Sequence, residues 1–205
     1  MTGDVAVALR VSGDAARVSC GRRWCGPATP DDEAVLERAH APVLDVGCGP
    51  GRHVLALARS GKVVLGIDLT APAVSVARRR GAPVLHRSVF SRVPGAGRWR
   101  TALLLDGNIG IGGEPVGLLR RVASLLRPDG SVLVELDPPG VASVVTSARL
   151  ELDGVTGPWF PWTRLSIDDI AAVAEASETA LAGTWSDGIR WFAQLDVARA
   201  RRGRP

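Results

Sequence analysis

A turn built from three glycines is the part of the sequence best suited to do chemistry. Gly47, Gly49 and Gly51 are spaced two residues apart and directly follow an apolar segment, 43–46, that carries the acid Asp45. Because glycine has no Cβ, the backbone can turn tightly there and let a ligand approach it closely. Asp45 would offer a negatively charged acceptor to an ammonium group of that ligand. The pattern predicts a ligand-binding turn that joins a buried strand to a helix.

The spacing of these glycines separates the turn from a dinucleotide site. Such a site needs G-x-G-x-x-G, so that a pyrophosphate meets the N-terminus of the helix. Here the third glycine comes one residue early and follows Pro50. A second acid, Asp68, ends the next apolar segment about 20 residues further on, where a carboxylate can accept both hydroxyls of a ribose. We expect Asp68 and the turn to bind one nucleoside, although Asp68 would also suit a solvated turn.

Apolar and helical segments alternate from residue 42 onward, and these elements must position the turn and the acids. We predict strands at 43–46, 63–67, 84–86, 101–105 and 131–136, and helices at 50–59, 70–80 and 114–126. Strands that alternate with helices form a parallel sheet with helices on both faces. The fold class is therefore α/β.

The flanking segments complete the predicted organisation. They are expected to form two short strands (5–19), a helix (31–39), an irregular insertion (137–165), a second helix (166–177) and a closing hairpin (179–185 with 189–197). We divide the chain into an N-terminal hairpin with a lid-like extension (1–40), a main domain (41–198) and a basic tail (199–205). Residues 22–24, Arg-Arg-Trp, are our candidate for the lid.

With these motifs in place, the chain resembles the class I S-adenosylmethionine-dependent methyltransferases. The resemblance rests on VLDVGCGPGRH (residues 43–53) and GIDLT (66–70), and more weakly on LLLDGNIGIGG (103–113) and LLRPDGSVLVEL (125–136). It implies a Rossmann-like three-layer sandwich with a mostly parallel seven-stranded sheet whose last strand is antiparallel. It also implies an enzyme that uses S-adenosyl-L-methionine, bound by the domain over 41–198.

The resemblance assigns cofactor contacts to definite positions. The methionine end of the cofactor would lie along the turn, whose implied contacts are Asp45, Gly47, Cys48, Gly49 and Gly51. Asp68 would hold the ribose, and Leu69 would pack on the adenine. The family commonly places an acid after the third strand to bind the adenine amine, but residues 86–90 of this chain contain none. Ser88 with its neighbour Val89, or a backbone carbonyl, would then bind that amine.

The reaction end is expected around Asp106 and Asn108, which open a glycine-rich run over 106–113. Such a run after a buried strand indicates close approach by a ligand, or else a flexible turn that caps the next helix. His53 would act as a base, contact the carboxylate of the cofactor, or simply pack. Transfer from a sulfonium is an in-line displacement, and alignment alone supplies ~7–11 kcal/mol of such a barrier. A base is therefore optional.

The acceptor is expected to be a small molecule, apolar or aromatic. Trp159, Phe160 and Trp162 lie in the irregular insertion, and they would either wall a pocket or pack as core beneath a long loop. Glu135 and Asp137 end the fifth predicted strand near the same crevice, where they either contact the substrate or are solvated. A nucleic-acid substrate would need a basic groove or an added binding domain. The chain lacks the Asn/Asp-Pro-Pro-Tyr/Phe motif after the fourth strand, and no apolar run reaches the ~18 residues of a membrane span. We therefore expect neither nucleic acid nor a membrane as partner.

Location and rival functions follow from composition. The chain has three cysteines and no secretion signal, which predicts reduced thiols, a cytoplasmic location and no metal site. A nicotinamide-dependent reductase is disfavoured by the glycine spacing and by the absence of tyrosine as proton donor. A non-catalytic subunit that binds the same cofactor remains an alternative. The sequence makes no prediction of the oligomeric state.

Overall fold

The computed structural model describes residues 7–11, 24–152 and 155–197. The strands are β1 (Val7–Val11), β2 (Val43–Val46), β3 (Val64–Asp68), β4 (Val84–His86), β5 (Trp99–Leu104), β6 (Leu126–Leu136), β7 (Val144–Leu152), β8 (Val155–Thr156), β9 (Phe160–Arg164), β10 (Thr179–Asp187) and β11 (Arg190–Val197). The helices are α1 (Pro30–Glu37), α2 (Arg52–Arg59), α3 (Ala71–Arg79), α4 (Pro115–Ala123) and α5 (Ile170–Ala176). Two short 3₁₀ turns lie at Asn108–Gly110 and Ile167–Asp169.

The main sheet has seven strands in the order β10-β11-β6-β5-β2-β3-β4. Strands β2 to β6 run parallel, and β11 is antiparallel to its neighbours β6 and β10. Successive side chains of a strand point to opposite faces. Thus Leu44 and Leu104 pack in the same cluster as α4 and α5, whereas Val43 and Leu103 pack with α1, α2 and α3. The predicted three-layer fold is confirmed.

The insertion after β6 forms a second sheet, contrary to our expectation of irregular structure over 137–165. Strand β7 pairs antiparallel with β1, β8 and β9. The prediction was wrong because proline and tryptophan obscured the alternation of side chains, and because β7 finds its partner β1 far away in the sequence. The described partner of β1 is β7, and the other strand of the predicted N-terminal hairpin lies outside the described residues.

Two predicted boundaries shift for local reasons. The helix expected over 114–126 ends at Ala123, and the strand expected over 131–136 begins earlier, at Leu126. The pairing of β5 with β6 is irregular between Trp99 and Thr101, which accommodates these residues within the strand. At the start of α3, the side chain of Thr70 makes no capping hydrogen bond.

Helix α1 is capped at its N-terminus and anchored to the main domain at its C-terminus. Thr29 and Asp32 form a reciprocal capping box at its N-terminus. At its C-terminus the ammonium of Lys62 donates to the carbonyls of Leu36 and Ala39, at 2.8 Å each. This helix therefore shares the core of the main domain, while the division of the chain at residue 40 stays a prediction. None of the helices in the described ranges is long and apolar enough to cross a membrane.

Candidate functional site

A cavity of about 920 Å³ opens at the carboxyl ends of the parallel strands. Its lining includes Val46 at the end of β2, Ile67 near the end of β3 and Asp106 just after β5. The second sheet contributes Phe160 and Trp162 to the same cavity. Ligands of open α/β sheets bind in this crevice. The sheet thus brings the predicted turn and the acids to one place.

The glycine turn leaves space on the cavity side. Gly47 and Gly49 have φ angles of 75° and 51°, in the left-handed region. A Cβ on Gly49 would meet nothing within 4 Å, so a ligand can reach its backbone. A Cβ on Gly47 would instead lie 2.7 Å from Nδ2 of Asn108. The turn is open at Gly49 and closely packed at Gly47.

Asn108 braces the turn from the loop after β5. Its Nδ2 donates to the carbonyl of Val46 at 2.9 Å and to that of Gly47 at 3.0 Å. Asn108 also lines the cavity. The structure therefore places this residue, predicted at the reaction end, where its amide holds the turn in shape.

Asp68 connects the turn to the next strand. Its Oδ2 accepts a hydrogen bond from the backbone N–H of Gly49 at 2.8 Å, and its Oδ1 accepts one from Thr70 at 2.6 Å. Beside it, the side chain of Leu69 is 66% exposed and lines the cavity. Asp68 and the turn thus form one surface, with an apolar side chain next to a carboxylate.

The loop after β4 closes the cavity beyond Leu69. Ser88, Val89 and Phe90 line it, and the hydroxyl of Ser88 accepts a hydrogen bond from the N–H of Phe90 at 3.1 Å. The carbonyl of Val89 accepts one from Nε of Arg121 at 2.9 Å. Since that carbonyl is already engaged, the Ser88 hydroxyl oxygen, which keeps a further lone pair, is the better acceptor for an amine of a ligand here.

Cys48 lies in the turn between Gly47 and Gly49 and is buried. A Cβ on Gly66 would be 2.7 Å from its Sγ, so the thiol packs closely on β3. Burial, together with the charges of Asp45 and Asp68, raises the pKa of the Cys48 thiol well above its ordinary value. Cys48 is therefore a neutral packing group on the cavity wall.

Five charged residues from separate elements form a closed arrangement beside the cavity, which we call the charged ring: Asp32, Arg52, Asp106, Glu135 and Arg190. Arg52 donates to Asp32 at 2.7 Å and to both carboxylate oxygens of Asp106, at 2.6 and 2.7 Å. The backbone N–H of Asp106 donates to Glu135 at 2.8 Å. Arg190 donates to Asp32 at 2.9 Å and to both oxygens of Glu135, at 2.8 and 2.7 Å.

The charges of the ring stabilise one another. Burial opposes ionisation of Asp32, but hydrogen bonds from His53 and Thr29 and the charge of Arg52 hold its pKa well below the usual range. Burial likewise opposes the charge of Arg190, yet Glu135 and Asp32 raise its pKa further above its ordinary value. Both groups are therefore ionised at neutral pH.

His53 lies between this ring and Asp45. Its Nε2 is 3.4 Å from Oδ1 of Asp32, and its Nδ1 is 4.0 Å from Oδ2 of Asp45. That Asp45 oxygen is buried and has no hydrogen-bond partner in the described part of the chain. Burial raises the pKa of Asp45 to about 6, and the charge of His53 opposes that shift. His53 lines the cavity, whereas Asp45 points into the core beneath α2.

The second sheet supplies an apolar wall that is also core. Trp162 is only 9% exposed, packs against Ala148 and lines the cavity. Phe160 meets it edge to face, with ring centroids 6.0 Å apart. Trp159 lies outside the cavity lining, where the guanidinium of Arg149 is 4.9 Å from its ring. The two interpretations of the aromatic insertion therefore both apply to Trp162, whereas the exposed Trp159 fits neither.

Comparisons with known proteins match this site to one family. A family model described as a methyltransferase domain matches residues 43–130. A solved structure of an S-adenosylmethionine-dependent methyltransferase from Bacteroides fragilis, in complex with S-adenosyl-L-homocysteine, has a TM-score of 0.79 and 25% identity, and covers 94% of this chain and 88% of that chain.

Residues 43–130 match a methyltransferase domain, and the fold is that of the class I S-adenosylmethionine-dependent methyltransferases.

Two curated relatives each match about half of this chain. The dTDP-3-amino-3,6-dideoxy-alpha-D-glucopyranose N,N-dimethyltransferase of Streptomyces fradiae is 36% identical over 112 residues, which is 51% of this chain and 44% of the relative. A ubiquinone biosynthesis O-methyltransferase of Xanthomonas euvesicatoria pv. vesicatoria (strain 85-10) is 34% identical over 108 residues, which is 48% of this chain and 44% of the relative. The chain thus spans less than half the length of both.

Several of the residues predicted from the sequence contact other parts of the protein. The glycine run over 106–113 is approached closely by protein, since a Cβ on Gly110 would collide with Trp162 and one on Gly113 would lie 2.6 Å from Pro161. Glu135 belongs to the charged ring, and Asp137 pairs with Arg164 at 2.9 Å. Trp24 lines the cavity, and the other two residues of the predicted lid lie outside the described residues.

Sequence reasoning missed three members of the charged ring. Asp32 falls at the start of the helix predicted over 31–39, and no local signal singles out Arg190, which is 158 positions from Asp32. Arg52 directly follows the glycine turn and precedes His53. The one clue in the sequence was the position of Arg52 on the first turn of α2, where a buried arginine would need carboxylate partners.

Proposed function

We propose that this chain binds S-adenosyl-L-methionine in the cavity and transfers its methyl group to a small-molecule acceptor by in-line displacement. The proposal rests on one observation. The backbone N–H of Gly49, in the open part of the turn, donates to Oδ2 of Asp68 at 2.8 Å, and both residues line the cavity. The two groups come from successive strands and face the same space.

The residues present fit this cofactor. Each carboxylate oxygen of Asp68 accepts one backbone hydrogen bond, and each keeps a further lone pair for a ribose hydroxyl. The exposed side chain of Leu69 offers an apolar surface for a flat base. The space beyond Gly49 lets the methionine portion lie along the backbone.

When bound, the cofactor supplies a methyl group that is already activated by its positive sulfur. What remains for the chain is to hold the acceptor in line and to exclude water, and alignment of this kind is worth ~7–11 kcal/mol. Asp106 lines the cavity in a fixed orientation, because Arg52 holds both of its carboxylate oxygens. We assign Asp106 the role of orienting a polar atom of the acceptor.

The acceptor side favours an apolar or aromatic small molecule. Ile111, Leu150, Phe160 and Trp162 line that part of the cavity. Apolar walls with a few fixed polar groups are typical of small-molecule sites. The buried thiol of Cys48 supports a reducing, cytoplasmic location, which we propose as well.

Calorimetry with S-adenosyl-L-homocysteine tests the binding part of the proposal. We expect Asp68→Ala to weaken binding at least tenfold, because two hydroxyl partners are lost. Asp129→Ala is the matched control, since Asp129 is an exposed acid on β6 outside the cavity lining, and its affinity should equal that of the unmodified chain. Equal affinities for both variants would refute the assigned site.

Turnover is tested with methyl-labelled S-adenosyl-L-methionine and a set of small aromatic amines, phenols and amino sugars. We expect label to move to at least one of these acceptors. Binding of the cofactor without transfer to any of them would instead favour the non-catalytic subunit.

A further inference from the structure

We infer that Arg190 is a positioning residue, which holds Arg52 and Asp106 at the cavity wall through Asp32 and Glu135. The inference rests on the proposed function, because its test uses S-adenosyl-L-homocysteine as the ligand of the cavity. Arg190 itself does not line the cavity, whereas Arg52 and Asp106 do. Arg190 therefore acts on the cavity only through Asp32 and Glu135.

Arg190 reaches the wall by two separate routes. One route runs from its Nη1 through Asp32 to Arg52, with N–O distances of 2.9 and 2.7 Å. The other runs from its Nε and Nη2 through Glu135 to the backbone N–H of Asp106. The guanidinium is planar and presents its donors in a fixed fork, so it sets the positions of both carboxylates at once.

The backbone at Asp106 requires such support. Its φ angle is 56°, which few residues other than glycine adopt. Strained backbone of this kind persists only where the surroundings hold it in place. Glu135 accepts the N–H of Asp106 and Arg52 holds its carboxylate, and both of these partners depend on the ring.

The balance of charge makes the ring depend on Arg190. With Arg190 present, two guanidinium groups face three carboxylates: Asp32, Asp106 and Glu135. Without it, Arg52 alone would face all three, in a place where Asp32 is fully buried. Glu135 would lose its cation, and a carboxylate left without its partner is costly, so Arg52, which already donates to Asp32 and Asp106, would be drawn toward Glu135 as well. Arg52 would then move relative to Asp106, and the wall of the cavity would change.

The hairpin strand that carries Arg190 also contacts α1 through aromatic residues. The ring of Trp185 on β10 stacks on Phe192 of β11, with centroids 5.4 Å apart. The guanidinium of Arg38, at the C-terminal end of α1, lies 4.2 Å from the centroid of Trp185. These contacts keep α1 and the hairpin together without Arg190. Loss of Arg190 should therefore affect the site more than the fold.

The test compares Arg190→Met, Arg190→Lys and the control Arg120→Met. Met keeps the length of the side chain without its charge, and Lys restores one charge without the fork. Arg120 is an exposed arginine of α4 that donates to the carbonyl of Ala176. Thermal unfolding is measured first, and the dissociation constant of S-adenosyl-L-homocysteine is then measured by calorimetry well below the unfolding temperature of each variant.

We expect Arg190→Met to raise this dissociation constant at least tenfold, Arg190→Lys to recover part of the loss, and Arg120→Met to match the unmodified chain. A purely structural role would lower the unfolding temperature and leave the affinity of the folded protein within twofold, which would overturn the inference. If Arg190→Met does not fold, Arg190→Lys and Glu135→Gln test the inference instead. Each should raise the dissociation constant threefold or more. Failure of the unmodified chain to bind would contradict the proposed function instead.

Discussion

Gly47 lies in close contact with Asn108, so adding one methyl group at Gly47 tests how the glycine turn is braced. In Gly47→Ala the new Cβ would lie 2.7 Å from Nδ2 and 2.8 Å from Cγ of Asn108, both shorter than van der Waals contact. The side chain of Asn108 must then leave its place, and with it the hydrogen bonds to the carbonyls of Val46 and Gly47.

The cost of this substitution has two parts. A residue with a Cβ in the left-handed region costs ~1–2 kcal/mol, which applies at the φ of 75° observed for Gly47. Each of the two lost hydrogen bonds contributes ~0.5–1.5 kcal/mol. We therefore expect Gly47→Ala to lower the free energy of unfolding by about 2–5 kcal/mol.

Two other glycines provide matched comparisons. Gly81 has a φ of 83° and open space where a Cβ would be, so Gly81→Ala should lose only the backbone part. Gly49→Ala should lose a similar amount of stability, but its methyl group would enter the cavity and weaken the binding of S-adenosyl-L-homocysteine.

Urea unfolding followed by circular dichroism gives all three free energies, and calorimetry gives the affinities. The reasoning is refuted if Gly47→Ala is no less stable than Gly81→Ala, because Asn108 would then move without cost. It is also refuted if Gly49→Ala binds as tightly as the unmodified chain.

Two further predictions concern the buried acid and the loop after β4. Because burial raises the pKa of Asp45 from 3.8 to about 6, the unfolded chain loses this proton at lower pH than the folded chain, and its ionisation opposes folding. The stability advantage of Asp45→Asn, measured by urea unfolding, should therefore grow from about pH 4 to pH 6 and reach roughly 3 kcal/mol above that; an advantage that shrinks over this range would contradict it. Arg121→Met removes donors to the carbonyls of Val89 and Ser91. Amide hydrogen exchange at Phe90 and Ser91 should therefore accelerate about tenfold, with little change in global stability. Unchanged exchange would show that the loop keeps its conformation without Arg121.

The parts of the fold and site that could be predicted from the sequence depend on local patterns. The strands around Val43 and Val64 are short apolar runs buried on both faces, and such runs are visible in any sequence. The glycine turn and Asp68 are also close in sequence, and one parallel strand pair brings them together. Their contact at 2.8 Å follows from that pairing.

The parts that could not be predicted depend on distant partners. The strand pattern of β9 is broken by Pro161, and its Phe160 and Trp162 belong to the core and the cavity wall at once. An Asp153-Gly154 pair between apolar residues was the one signal for strands there, since it is typical of a hairpin turn. Arg190 carries no such signal, because its role is set by carboxylates on α1 and β6.

The ammonium that caps α1 gives this protein an unusual chemical handle. Lys62 is the only lysine in the sequence, and it must leave the carbonyls of Leu36 and Ala39 before it can react with an acylating reagent. The rate of acylation at this residue therefore measures how often α1 detaches from the domain. Since Asp32 of α1 also belongs to the charged ring, a ligand that tightens the ring should slow that acylation.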